Sequence, residues 1–160
     1  MKYIDALTEY IARFTAFILI ALTLLVVYDA LNRYLFHTGS IALQELEWHL
    51  FDLIILLGIA YALKEGAHVR VDIFYARFKP RTRAYIDLVS QIFLILPFSF
   101  LIIYMGFDFV LQSFVQHEGS SNPGGLPYRF IVKSLILISF SVLIVQSVSE
   151  VIKRIKILRS

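Results

Sequence analysis

Charged and polar residues interrupt four long apolar segments of this chain, at positions where they could pair, face a partner or carry an ion. A charged side chain at the centre of a bilayer costs about 3 kcal/mol or more unless it is paired or hydrated. Each of these residues is therefore expected to have a partner or a function. With a rise of about 1.5 Å per residue, these side chains fall at similar depth in one half of the membrane. This predicted polar layer comprises Asp29, Arg33, Glu45, Trp48, His49, Asp52, Asp108, Arg129 and Lys133.

Two explanations compete for the polar layer. Internal pairing would join Asp29 to Arg33 one helical turn away, and Asp52 or Asp108 to Lys133, which would hold four helices in register. Alternatively, part of the layer faces a second protein. An ion or proton path is less favoured, because cations and anions alternate and no acidic or histidine relay crosses the other half of the membrane. We therefore expect structural or subunit-interface roles, with Asp52 and Lys133 interdependent.

The second apolar segment carries four of these side chains on one face. Glu45, Trp48, His49 and Asp52 follow i, i+3, i+4, i+7 spacing, whereas Glu47 points elsewhere. Such a face can meet another helix of the bundle or a partner.

Catalytic and metal-binding chemistry finds no support in the residue pattern. The chain has no cysteine, no serine in a nucleophile elbow and no glycine-rich phosphate loop. Its histidines lie near helix ends or in loops without the spacing of a metal or haem site: His37, His49, His68 and His117. We predict no enzymatic activity, cofactor or metal, and the basic residues beside the spans give no reason to expect nucleic acid.

The segments that must position the polar layer cover residues 14–36, 43–63, 84–115 and 128–151. Each can cross a hydrocarbon core of roughly 30 Å, which takes about 20 helical residues. Hydrocarbon offers no partner to backbone polar groups, so such segments must be helical. The composition, 59% hydrophobic and 17% charged, agrees. The predicted fold is an all-α integral membrane protein of four transmembrane helices, with residues 1–160 as a single domain.

Lysine and arginine predict the orientation, because they collect in cytoplasmic loops. Twelve lie before the first span, between the second and third, or after the fourth, and three lie on the other side. Both termini and the middle loop are therefore expected in the cytoplasm. The first span is expected to be retained, since Asp5 and Glu9 precede it and no small-residue cleavage site follows.

Glycine and proline mark several helix boundaries. Gly66 is the predicted C-cap of the second helix, and Pro80 is a predicted first helical residue. Residues 69–83 between the second and third spans are typical of either a short amphipathic cytoplasmic connector in the membrane plane or a solvated one. Residues 2–14 predict an amphipathic lead-in to the first helix, and Pro97 predicts a kink in the third.

The longest polar stretch, residues 116–129, reads QHEGSSNPGGLPYR. Its Asn-Pro and Gly-Gly pairs at 122–125 favour turns, and Pro127 is predicted to start the fourth helix. So compact a loop indicates a docking or supporting surface rather than a substrate-binding domain.

Three stretches together carry a resemblance to a known family: LNRYLF, ELEWHLFDLIILLGIAYALKEGAHVRVDIF and GSSNPGGLPYRFIVKS. In this order they resemble the small membrane subunit of tripartite ATP-independent periplasmic (TRAP) transporters, the DctQ-like family. The resemblance covers nearly the whole chain. Its most specific combination is KEGAHVRVD directly after the second span with the later PGGLPYR.

The resemblance implies a supporting function in transport. In such systems a periplasmic DctP-like protein delivers a substrate, often an organic acid, to two membrane subunits, which import it with a sodium gradient. The large DctM-like subunit carries the substrate and sodium sites, and the small subunit supports its scaffold in the bacterial inner membrane. The implied partners are these two proteins and membrane lipids.

The family pattern also implies structural and interface roles for particular residues. Gly66 is expected to stop the second helix, and Arg70 with Asp72 to fix the connector. Glu45 with Arg129 is expected to shape the periplasmic surface. The pattern falls on Glu45, Gly58, Glu65, Gly66, His68, Val71 and Asp72 in the second helix and connector, and on Pro123, Gly124, Gly125, Leu126, Pro127 and Arg129 in the late loop.

The alternative is a self-sufficient small four-helix exporter coupled to protons. Such a transporter needs a membrane-embedded carboxylate, usually in its first helix, and a dimer to enclose a path. Asp29 is the candidate in the first span, but it lies toward the outer end beside Arg33.

Overall fold

The apolar segments fold into long helices that pack side by side. The computed structural model describes residues 2–66 and 78–159. In chain order the elements are α1 Lys2–Leu35, α2 Ile41–Lys64, α3 Pro80–Ser90, a π-helical turn Gln91–Ile95, α4 Leu96–Val115 and α5 Phe130–Arg159. Since α3, the π turn and α4 are continuous, four helices are long and apolar enough to cross a membrane. The described ranges contain no strand, and the predicted all-α membrane fold is confirmed.

Helix α5 lies at the centre of the bundle. Every other helix packs on it, and α1 also packs on α2. The helix formed by residues 80–115 makes hardly any direct contact with α1 or α2 in the described ranges. As a result, α2 and α4 both flank α5 without being neighbours of each other.

The bundle has two ends, which we call the loop end and the terminal end. At the loop end, residues 36–40 join α1 to α2 and residues 116–129 join α4 to α5. At the terminal end lie the start of α1, the end of α2, the start of α3 and the end of α5.

Apart from Leu22, Leu63 and Leu143, the buried side chains of the bundle are small or polar, while most large apolar side chains face outward. Ser139 of α5 donates a hydrogen bond to the Leu56 carbonyl across the contact with α2. Because lipid tails are as apolar as these outer side chains, membrane helices associate through close packing of small residues and interhelical hydrogen bonds. Among the outward-facing residues, all more than half exposed, are Phe17, Leu24, Phe93, Tyr104 and Ile131.

Two of the predicted helix boundaries are found, and one cap was not predicted. Gly66 follows α2 with a φ of 67°, a left-handed conformation that glycine adopts without strain. Pro80 is the first residue of α3, where its missing amide hydrogen has no intrahelical partner to lose. Ser40 caps α2 by accepting a hydrogen bond from the Leu43 amide at 3.4 Å.

The prediction that Pro127 starts the fourth helix is wrong, because α5 begins at Phe130. Tyr128 has a φ of 61°, which a right-handed helix cannot contain. The Arg129 amide donates instead to the Glu118 carbonyl at 2.9 Å. The chain therefore closes the loop before it enters the helix.

The first span is a continuous α-helix, whereas the third span contains a π turn. Helix α1 is unbroken from Lys2, so the lead-in is continuous with the span. In the third span, a π turn lies just before Pro97, where the Leu96 amide donates to the Gln91 carbonyl five residues back. The kink at Pro97 stays a prediction. The Gln91 side chain, buried in this π turn, accepts a hydrogen bond from Ser147 of α5 at 2.5 Å.

Arg70 and Asp72 lie outside the described residues, as do His68, Val71 and most of the predicted connector. Their roles stay predictions.

Candidate functional site: polar layers at the two ends of the bundle

Glu45 is the centre of a hydrogen-bonded cage at the loop end. Its side chain, buried near the start of α2, accepts hydrogen bonds from the Leu126 amide at 2.7 Å and from the Ser120 hydroxyl. Arg129 adds an ion pair, with Nη2 3.1 Å from Oε1, and the Asn122 amide nitrogen lies 3.5 Å from the same oxygen. One carboxylate thus ties α2 to the loop between α4 and α5. We call these five residues the Glu45 cage.

The loop is shaped to close over Glu45. The Gly125 amide donates to the Asn122 carbonyl at 3.0 Å, and Gly124 has a φ of 81°. A Cβ atom on Gly125 would stand 2.7 Å from Glu45 Oε2 and closer still to the Ser120 side chain. Position 125 therefore has no room for a side chain while the cage is intact.

Lys133 pairs with the loop rather than with a carboxylate of another helix. Its Nζ lies 2.5 Å from Glu118 Oε2 and 3.9 Å from the centre of the Phe109 ring. The predicted pairing of Lys133 with Asp52 or Asp108 is therefore wrong. Glu118 lies in the loop, three residues beyond the end of α4, and can reach the ammonium group, whereas the two aspartates are fixed within helices. The hydrogen bond from Lys133 holds the pKa of the Glu118 carboxyl below its usual range.

Asp29 and Arg33 form the ion pair that was predicted one turn apart on α1. Arg33 Nη2 lies 2.8 Å from Asp29 Oδ2, and the aspartate is wholly buried while the guanidinium is partly exposed. Glu47 of α2 has a buried carboxylate oxygen without a hydrogen-bond partner, and it interacts electrostatically with both Asp29 and Arg33. The contact between α1 and α2 therefore holds two carboxylates and one guanidinium.

A groove lies between α2 and α5 beside the cage. Its upper cavity, of about 420 Å³, is lined by Glu45, Trp48, His49 and Asp52, so the face predicted from their spacing is found. A lower cavity, of about 320 Å³, shares Asp52 and Lys133 with the upper one and is otherwise apolar. We call the two cavities together the α2–α5 groove.

A second polar layer, which was not predicted from the sequence, lies at the terminal end. Gln146, wholly buried in α5, accepts a hydrogen bond from the Thr8 hydroxyl at 2.8 Å and donates to Asp5 and Glu150 at 3.2 and 3.1 Å. Lys153 then bridges the two carboxylates, 2.7 Å from an oxygen of each. We call these five residues the terminal-end layer. They bind the beginning of α1 to the last part of α5.

Two further ion pairs at the terminal end involve the other helices. Arg154 of α5 lies 3.2 Å from Asp87 of α3, and Lys64 of α2 lies 2.5 Å from Glu9 of α1. All four long helices are therefore joined to a neighbour by charge at the terminal end.

A signal for the terminal-end layer was present in the sequence. Polar residues recur every three or four positions along α5, at Gln146, Glu150 and Lys153, which places them on one face. By themselves, the basic residues near the C-terminus indicate only the orientation of the chain. Their partners in α1 lie more than 130 positions away in the chain, so spacing alone could not identify them.

The chemistry available at both ends is that of ion pairs and hydrogen bonds between helices. Within residues 2–66 and 78–159, no three His, Asp or Glu side chains are grouped as ligands for a metal ion. The predicted interface roles of the individual residues stay predictions.

Comparison with known proteins agrees with the resemblance in the sequence. No curated protein matches the chain. The family described as tripartite ATP-independent periplasmic transporters, DctQ component, matches residues 22–157. That range reaches all four long helices and contains the Glu45 cage and the α2–α5 groove. The chain therefore belongs to the DctQ family, the small membrane subunit of TRAP transporters.

Proposed function

We propose that this chain supports a large DctM-like membrane subunit during sodium-driven uptake of an organic acid or a related solute. In this proposal a DctP-like periplasmic protein delivers the solute, and the complex lies in the bacterial inner membrane. The family match over residues 22–157 carries the proposal, because the family is a component of such transporters.

The contacts of the described residues support a scaffolding role. The Glu45 cage fixes the α4–α5 loop to α2, and the terminal-end layer fixes α1 to α5. A subunit held at both ends resists the relative movement of its helices. It can therefore serve as a fixed body beside a moving one.

The proposal includes an orientation, with the loop end in the periplasm and both termini in the cytoplasm. Because the chain has no cysteine, single cysteines can report this without a background signal. Ser121→Cys lies in the exposed loop and Lys156→Cys in the exposed last turns of α5. A membrane-impermeant maleimide added to intact spheroplasts should label the first and spare the second. The reverse labelling would overturn the orientation.

Affinity purification of the tagged chain from native membranes, followed by mass spectrometry, tests the function. We expect a much larger multi-span protein to co-purify in stoichiometric amount. Vesicles that contain both membrane proteins should then take up solute only with the periplasmic protein and an inward sodium gradient. A chain that elutes alone, and transports a solute alone, would overturn the proposal.

The alternative of a self-sufficient exporter is not favoured by the family match. The geometry of Asp29 also argues against it. A coupling carboxylate must exchange protons with a water-filled path, whereas Asp29 is wholly buried and faces Arg33 at 2.8 Å.

A further inference from the structure

Asp52 differs from the other charged residues of the predicted polar layer that line the groove. It stands half way along α2, whose 24 residues begin at Ile41. Within the described ranges no side chain or amide donates a hydrogen bond to it, and no cation pairs with it. A carboxylate at this depth in hydrocarbon requires a donor. The isolated chain does not provide one from its described residues.

The nearest candidate donors are already engaged or do not reach Asp52. Lys133 lines both cavities of the groove, but its ammonium group is held by Glu118 and lies over the Phe109 ring. Arg129 belongs to the Glu45 cage. Asp52 is thus left facing the open groove.

The remaining walls of the groove have the character of a helix-packing surface. Its lower cavity is lined by Ile55, Leu56, Val132 and Ile136, and Ile55 is about half exposed. Apolar walls with a single carboxylate suit an apolar helix that carries one donor. The exposed indole of Trp48 borders the upper cavity.

Charge decides between the possible occupants. Two copies of this chain seated groove to groove would bring the two Asp52 carboxylates together, which is unfavourable. Lipid tails contain no donor, and lipid headgroups lie at the membrane surface rather than at the middle of a transmembrane helix. A helix of another membrane protein can present a basic or amide side chain at this depth.

We propose that a transmembrane helix of the large membrane subunit lies in the α2–α5 groove and donates a basic or amide side chain to Asp52. The proposal rests on the proposed function and adds to it the surface and the residue through which the two subunits recognise each other.

Photocrosslinking locates the occupant directly. A benzophenone amino acid in place of Ile55 projects into the groove, and the same residue in place of Leu24, on the exposed face of α1, reports the background. We expect irradiation of the native complex to join the large subunit to position 55 at a clearly higher yield than to position 24. Adducts from position 55 only with lipid, or only with a second copy of this chain, would overturn the proposal.

Substitution of the carboxylate tests the donor. Asp52→Asn should lower the recovery of the large subunit about tenfold, because a hydrogen bond to a charged group is lost. Asp52→Glu should restore most of it. Glu9→Gln is the matched control, since Glu9 is a partly exposed carboxylate at the terminal end, away from the groove and already paired with Lys64. Asp52 makes no bond within the described chain, so Asp52→Asn should leave the unfolding temperature of the isolated chain unchanged.

The outcomes separate this inference from the proposed function. If the wild-type chain recovers no large subunit, the proposed function fails. If it does recover the large subunit while position 55 gives no adduct with it, or Asp52→Asn binds like wild type, only the groove assignment fails. An Asp52→Asn chain that does not fold leaves the crosslinking result decisive.

Discussion

The Glu45 cage and the terminal-end layer use the same chemistry, but the cage holds a loop on a helix and the terminal-end layer holds two helices together. In the cage, one carboxylate on α2 accepts hydrogen bonds from a backbone amide, a hydroxyl and a guanidinium of a single loop. In the terminal-end layer, side chains from the beginning of α1 and the last part of α5 hold each other, with Gln146 wholly buried between them. The cage therefore shapes a surface, whereas the terminal-end layer closes the bundle.

This difference predicts that substitutions at the two ends will affect different parts of the structure. A broken cage frees a loop whose flanking helices still pack on the bundle. A broken terminal-end layer removes contacts between α1 and α5, which share few others. We expect mainly local opening in the first case, with a smaller loss of global stability than in the second.

Removal of the shared cation should give the largest effect. Lys153→Met leaves Asp5 and Glu150 facing each other without a bridge, and should destabilise the chain by about 2 kcal/mol once the partial exposure of the lysine is allowed for. Thermal unfolding in detergent should shift down by about 5 °C. Lys156→Met, at an exposed position of the same helix, is the control and should change little. Equal shifts in both variants would mean that the bridge contributes nothing.

A side chain at position 125 should open the cage. Gly125→Ala places a methyl group against Glu45 and Ser120, at a cost of about 2 kcal/mol or a displaced loop. Trypsin should then cleave after Arg129 much faster than in wild type, whereas Lys153→Met should leave this cleavage rate nearly unchanged. The control is Gly58→Ala, where nothing lies within 4 Å of the new atom. Unchanged cleavage in Gly125→Ala would show that the cage does not hold the loop.

The ion pair inside the cage should show a smaller, pairwise effect. Glu45→Gln and Arg129→Gln should each lower the unfolding temperature, and the double variant should lower it by less than the sum, because the lost contact is shared. A strictly additive result would mean that the two residues act independently. The same cycle on Arg129 with Lys153 is the control, and it should be additive, because the two residues lie at opposite ends of the bundle.

The pH dependence of Glu118 should give the smallest effect. The pKa of its carboxyl is lower in the folded chain than the ordinary value of 4.5, because Lys133 donates to the carboxylate. The stabilisation is therefore present above the unfolded pKa and lost as the pH falls through the folded one. The difference in unfolding temperature between wild type and Glu118→Gln should shrink from pH 6 to pH 3. A difference that does not change with pH would contradict the assigned pairing.

The periodicity and length of the apolar segments were enough to predict the four helices and the face shared by Glu45, Trp48, His49 and Asp52. Local backbone chemistry was enough for Gly66 and Pro80. These features depend on neighbours in sequence, where the physical rules are strong.

The partners of the polar residues could not be predicted in the same way. Lys133 was expected to pair with a carboxylate in a helix, but it pairs with Glu118 in the loop. Only the folded loop brings Glu118 close to Lys133. Thr8 and Gln146 are neutral residues, and such residues carry no charge signal in the sequence, although they lie at the centre of the terminal-end layer. Pairing between distant helices depends on which helix faces which, and α5 proved to face all of them.

The π turn has a consequence for the faces of the third span. A turn closed five residues back holds one residue more than an α turn, so the helix after it is rotated by about 100° relative to an unbroken helix. The buried positions Asp87 and Gln91 lie before or at the start of the turn, and Ser99 and Ser113 lie after it. A single helical wheel therefore cannot describe this span. The extra residue acts as a phase correction, and it allows both halves of a 36-residue helix to present small and polar side chains to α5.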